Sequence, residues 1–112
     1  MEYKSEAHLQ SLCTKWFRKE YPEQWYRLFL IFNNPPNGAM ASLLKSMGLQ
    51  KGVSDQLYFT PGLKLHWIEY KIDNRRQSED QKEFEKLVTE YGCGYSVIRN
   101  EDEFILLIKK LN

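Results

Sequence analysis

Histidine and cysteine are both scarce in this chain, with two of each. Cys13 and Cys93 have neither metal-ligand spacing nor an oxidoreductase motif, and read as reduced, mostly buried thiols of a cytosolic protein. His8 and His66 read as surface or core-edge residues. No Ser/His/Asp or Cys/His set and no zinc pattern accompanies them, which sets aside the common nucleophilic hydrolases and structural zinc. The six glycines are not gathered into a phosphate-cradling loop, so that mode of nucleotide binding also drops out. Long apolar runs are missing: residues 28–32 and 104–108 are the longest, far too short to span a bilayer. The first residues lack the apolar stretch of a signal peptide, so an intracellular, cytoplasmic protein without membrane contact is expected. Charge of one sign is missing as well, since 16 Lys and Arg stand against 15 Asp and Glu. A polyanion could then be held only through local clustering, metal neutralisation or the doubled surface of an oligomer.

What the chain does have is apolar material. In 112 residues, 42% are hydrophobic and 14% aromatic, enough for one core, and residues 1–112 read as a single domain without repeats or linkers. Leu9, Leu12, Cys13, Trp16 and Phe17 recur at helical spacing, predicting a helix over residues 4–20 that Pro22 closes. Residues 25–32 predict a buried strand ending at Asn33-Asn34-Pro35-Pro36-Asn37-Gly38, and residues 39–47 a short helix stopped by Gly48. Residues 56–60 and 65–71 flank Pro61-Gly62, which suits a type II turn and predicts a hairpin. Ser78-Glu79-Asp80-Gln81 matches a capping box, and Phe84, Leu87, Val88 and Tyr91 extend it as an amphipathic helix ending at Gly92. Residues 95–99 predict a strand, and Asn100 caps a last helix through about Lys110. The order α-β-α-β-β-α-β-α predicts an α/β fold. Its small mixed sheet has four strands flanked by helices, a parallel crossover after the hairpin, and the hairpin at the centre.

Chemistry concentrates on that hairpin. Side chains alternate faces along a strand, so Glu69 and Lys71 share one side while Ile68 and Tyr70 take the other. Asp55, just ahead of the neighbouring strand, brings a second carboxylate. Two carboxylates and a backbone carbonyl suit Mg²⁺, which takes oxygen ligands and keeps several waters. A cation held there offsets charge on a reacting phosphate, and Lys71 could orient or deprotonate the attacking water, or steady the phosphate. Each residue also has a plainer account. Glu-x-Lys is common on exposed strands as part of a cross-strand charge pair. Gln81 completes the capping box, and Glu6 suits the first turn of a helix dipole.

The ordered set resembles the virus-type replication-repair nuclease (VRR-NUC) domain of the PD-(D/E)xK nuclease superfamily. The resemblance covers nearly the whole chain. It rests on Glu6, Pro36-Asn37-Gly38, Gly48-Leu49-Gln50-Lys51-Gly52-Val53-Ser54-Asp55, Ile68-Glu69-Tyr70-Lys71, Ser78-Glu79-Asp80-Gln81 and Tyr91-Gly92-Cys93-Gly94-Tyr95. It implies a restriction-endonuclease-like core and an endonuclease dependent on Mg²⁺ or Mn²⁺. Asp55, Glu69 and the Tyr70 carbonyl would be metal ligands, Glu6 an accessory acid reaching through water, Lys71 the catalytic lysine and Gln81 a site-shaping amide. A stand-alone, viral or phage-like form is implied, working as a homodimer on branched DNA such as four-way junctions or flaps. Phosphate contacts would fall to Lys45, Lys51, Lys64, Arg75, Arg76 and Lys82. A non-catalytic DNA-binding or assembly module on the same fold is the competing expectation. Tyr26, Phe29 and residues 104–107 are candidates for an interface.

Overall fold

Residues 2–112 are described by a computed structural model, and their element order follows the predicted α-β-α-β-β-α-β-α. Helix α1 (Glu6–Glu20) starts where Ser5, in extended backbone, accepts a hydrogen bond from His8 N, and Tyr21 ends it. Asn37 caps α2 (Gly38–Ser46), Ser78 caps α3 (Glu79–Glu90) and Asn100 caps α4 (Glu101–Leu111) in the same way. Strands β1 (Leu28–Leu30), β2 (Gln56–Phe59), β3 (Leu65–Tyr70) and β4 (Gly94–Ile98) form one sheet in the order β1-β2-β3-β4. The first two pairings are antiparallel and β3 with β4 is parallel, so the hairpin is central and α3 serves as the crossover.

The sheet has two unlike faces. Tyr58, Ile68, Tyr70 and Ile98 pack on Leu9, Cys13 and Phe17 of α1 and on Phe104 and Ile108 of α4, forming the core. Ring contacts knit it together: Phe17 meets Tyr58 edge-on at 5.6 Å, and Trp16 meets Phe104 at 6.1 Å. The opposite face carries Trp67 against Phe84 of α3 at 5.0 Å. Alternation along β3 therefore sends Ile68 and Tyr70 into the core and leaves Glu69 with Trp67 on the α3 side. Cys13 is buried and Cys93 half-buried, both free, and burial pushes the Cys13 thiol up to about 12.

Two local expectations are corrected. The buried strand predicted over residues 25–32 is a 3₁₀ turn, Pro22–Arg27, followed by a three-residue edge strand in which Leu28 alone is buried. Pro22 pre-sets the turn's first φ, and an edge position leaves Phe29 and Leu30 open to solvent. The hairpin turn is not type II, because the positive φ falls on Leu63 (63°) and not on Gly62. Leu63 N donates to Thr60 O and Thr60 N to Lys64 O, the pattern of a type I turn followed by a left-handed residue. Among the described residues, no helix is long and apolar enough to cross a membrane.

Candidate active site

The hairpin register sets the site. Gln56 pairs with Ile68, so Asp55, one residue ahead of β2, falls opposite Glu69 on β3. Asp55 is anchored on both sides. Its carbonyl accepts from Ile31 N at 2.9 Å, and its carboxylate Oδ2 accepts from Tyr70 N at 2.7 Å. The second bond ties the acid to the peptide unit joining Glu69 to Tyr70.

Glu69 is 2% exposed, and its Oε1 has no hydrogen-bond partner. Burial, first, and the Asp55 charge, second, push its carboxyl up to about 9, with a smaller push from Glu6 and an opposing pull from Lys71. Glu6 arrives from the first turn of α1 with Oε2 lacking a hydrogen bond and 4.0 Å from Arg75 Nη1. Gln81 completes the capping box: its Oε1 accepts from Ser78 N at 2.8 Å and its N–H donates to Ser78 Oγ at 3.2 Å. Its side chain nevertheless borders the same space as the acids, so capping and site-lining coexist.

Glu6, Asp55, Glu69 and Gln81 all line one cavity of about 330 Å³, together with Asn33, Lys51 and Asp80. Lys71 does not lie on that wall. It is 9% exposed, and its backbone N–H donates to Ile98 O at 3.1 Å. It reaches the site electrically, as the charge that pulls Glu69 down. Of the expected phosphate-binding residues, Lys51 is on the cavity wall and Arg75 beside Glu6. Lys82 pairs with Glu79 at 3.3 Å. Lys64 sits in the hairpin turn, at the end of β2 away from Asp55, which corrects its placement near the site.

Some contributors have no signal in the Glu-x-Lys pattern. Asn33 donates from Nδ2 to Val53 O at 2.9 Å and holds the segment leading into Asp55. Tyr95 accepts from Gln77 Nε2 at 3.0 Å, and burial with the nearby Glu69 charge helps push its phenol up to about 12. Its register partner is Trp67, so the parallel pairing would have put it on the Glu69 face. Gly52, at φ +80°, lies flat against the start of α3, where an added Cβ would overlap the Asp80 carbonyl and stand 2.9 Å from Gln81 N. Glycine is what lets the Asp55 loop and the Gln81 cap close on one cavity.

Among the described residues, no three His, Cys, Asp or Glu side chains gather closely enough to hold a metal ion by themselves. The expected donor set is different: two carboxylates, a backbone carbonyl and waters. That set fits a hard cation. Glu69 Oε1 and Glu6 Oε2 are buried oxygens without hydrogen-bond partners, and the burial and Asp55 charge that lift Glu69 are what a divalent cation offsets.

No protein-family model matches the chain, and no curated protein does. A solved structure described as "VRR_NUC domain protein" superposes with a TM-score of 0.76, at 19% identity, over 99% of this chain and 90% of that one. At that identity the likeness speaks for architecture, and it extends across the elements that carry Glu6, Asp55, Glu69 and Gln81. The fold of this chain is that of a VRR-NUC domain.

Proposed function

We propose that the protein is a metal-dependent endonuclease that hydrolyses phosphodiester bonds in DNA, with branched DNA such as four-way junctions or flaps preferred. One observation carries the reading: Glu6, Asp55 and Glu69, distant in sequence, line one cavity in which a buried Glu69 oxygen has no partner. A carboxyl buried for structural reasons alone would have both oxygens paired, and Glu69 Oε1 is not.

Asp55, Glu69 and the Tyr70 carbonyl would hold Mg²⁺ or Mn²⁺, with Glu6 acting through water. When bound, the cation offsets charge on the phosphate and makes nearby water more acidic. The chain supplies the rest. Tyr70 N–H fixes the Asp55 carboxylate, so little side-chain freedom is lost on loading. Glu69 must release its proton to serve as a ligand, so loading is favoured by rising pH. Lys71, off the cavity wall but close enough for its charge to act on Glu69, would be the catalytic lysine, orienting the attacking water or steadying the phosphate once substrate is bound. Lys51 and Arg75 border the cavity and its neighbourhood and supply the cations that a near-neutral chain otherwise lacks. A homodimer would offer a junction two sites related by a two-fold axis, matching paired cuts.

Titration calorimetry with Mn²⁺, run beside plasmid nicking, tests the reading. Wild type should bind the ion and nick, while Asp55→Ala should do neither and keep its fold. Undiminished nicking by Asp55→Ala would refute the assignment. DNA binding without nicking under any metal would favour the non-catalytic module.

A further inference from the structure

A groove runs along α1 to the candidate site and meets it at Asp55, while the rest of its lining lies outside the proposed cation ligands. Its volume is about 430 Å³. On one side is a single stripe of α1: Gln10, Ser11, Lys15 and Arg18 recur at helical spacing on one face. On the other is the edge strand and its extension, where Leu30 and Phe32 stand two residues apart and so share a face. Ile31, between them, still donates to Asp55 O at 2.9 Å, so the ladder carries Phe32 up to the site.

Three features distinguish the groove from a bare apolar patch. Away from the candidate site its charge is positive: Lys15 and Arg18 are exposed, and among the described residues lining it the sole acid is Asp55, at the end that meets the site. It is continuous with the candidate site, because Asn33, Asn34 and Asp55 line both spaces. It also holds an aromatic ring in the open, since Phe32 is 51% exposed. The stripe from Gln10 to Arg18 spans roughly 12 Å of helix, the length of a few nucleotides. An exposed ring beside a basic wall suits the unstacked bases of a single strand, which a paired duplex does not offer.

We propose that this groove is the track for an unpaired DNA strand, with Lys15 and Arg18 against its phosphates and Phe32 as a stacking platform for a base beside the cutting site. Single-strand grooves combine these two elements, a basic wall along the backbone and an aromatic face for the bases. The inference rests on the nuclease reading of the adjoining site and deepens it by assigning the substrate an unpaired arm. None of the three residues belongs to the acid cluster, so their effects can be separated from cleavage.

The test is fluorescence anisotropy of labelled DNA with the full chain in EDTA, where binding is read without cutting. The probes are a single-stranded oligonucleotide, a flap and a blunt duplex. Phe32→Ala should bind the single strand and the flap about tenfold more weakly and leave the blunt duplex unchanged, while Phe32→Tyr should retain the affinity. Lys15→Gln with Arg18→Gln should lower the salt slope for the single strand by about 1.4, the loss of two phosphate contacts. Equal weakening on all three probes would overturn the track and make these residues general DNA contacts. Unchanged binding in all variants would also overturn it, as would Phe32→Ala abolishing self-association in sedimentation while DNA affinity stays intact. Failure of the nuclease reading would look different: wild type would cut no DNA under any metal, whatever the EDTA binding shows.

Discussion

Replacing Glu69 with Gln should stabilise the metal-free protein, and by more as the pH rises. Burial and the Asp55 charge lift this carboxyl from 4.5 to about 9, so the folded protein keeps its proton through neutral pH. The unfolded chain releases that proton near its ordinary value. Stability falls with pH wherever the folded state binds more protons, so this contribution is complete below about pH 4.5 and is lost as pH climbs towards 9. Each pKa unit is worth about 1.36 kcal/mol, which sets a ceiling of about 3.4 kcal/mol between pH 5.5 and 8. Water entry and relaxation around the pair reduce this, and about 1–3 kcal/mol is the expected loss. Gln keeps the size of the side chain and never ionises, so the variant should show none of this slope. Urea denaturation in EDTA at the two pH values measures the difference. Parallel pH dependence in the two proteins would refute the reasoning. Adding Mg²⁺ at pH 8 should recover stability in wild type and not in Glu69→Gln, because a ligand that binds only the folded state stabilises it.

Gly52→Ala should cost more than about 2 kcal/mol, because a positive φ and an overlap with the Asp80 backbone act together; an unchanged melting temperature would contradict the close approach. Gly94→Ala should also destabilise, since its Cβ would meet the buried His66 ring, with Cγ at 2.9 Å. That obstacle is a side chain, so the cost in His66→Ala, Gly94→Ala should fall well below the sum of the single costs, a non-additivity that thermal melts would read. Ser78→Ala removes a helix cap and should cost about 0.5–2 kcal/mol. By freeing Gln81 it should also weaken Mn²⁺ binding slightly in calorimetry. Lys71→Ala should bind metal and lose most turnover; loss of metal binding instead would make Lys71 a structural support for Glu69.

Much of this architecture is legible in the chain because its punctuation is local. Pro22, Gly48, the Ser78 capping box and Asn100 act within a turn of their own position, and each stands where its chemistry predicts. Alternation along β3 sets Glu69 opposite Ile68 and Tyr70 as expected, whereas Lys71 lies one residue past the strand and off the wall that Glu69 lines. Register was less accessible. That Asp55 lies opposite Glu69 depends on where the hairpin turns, and the turn uses Leu63 instead of Gly62 for its left-handed residue. The aromatic run over residues 25–32 misled because exposed and buried aromatics look alike in sequence, and only the edge position shows that Phe29, Leu30 and Phe32 face solvent. Lys64 misled for a related reason: nearness in sequence to the hairpin says nothing about which end it occupies. Tyr95 and Asn33 act on loop residues Gln77 and Val53, 18 and 20 residues away in sequence, beyond the reach of local pattern.

The most direct test of the central claim is cleavage of labelled single strand, duplex, flap, splayed arm and four-way junction by purified protein in Mg²⁺, Mn²⁺ or EDTA, with Glu69→Ala alongside. The expected result is cutting that requires the metal, favours a branched substrate and disappears in Glu69→Ala. Cutting that survives EDTA or Glu69→Ala would contradict the account, and so would binding without cutting under every condition.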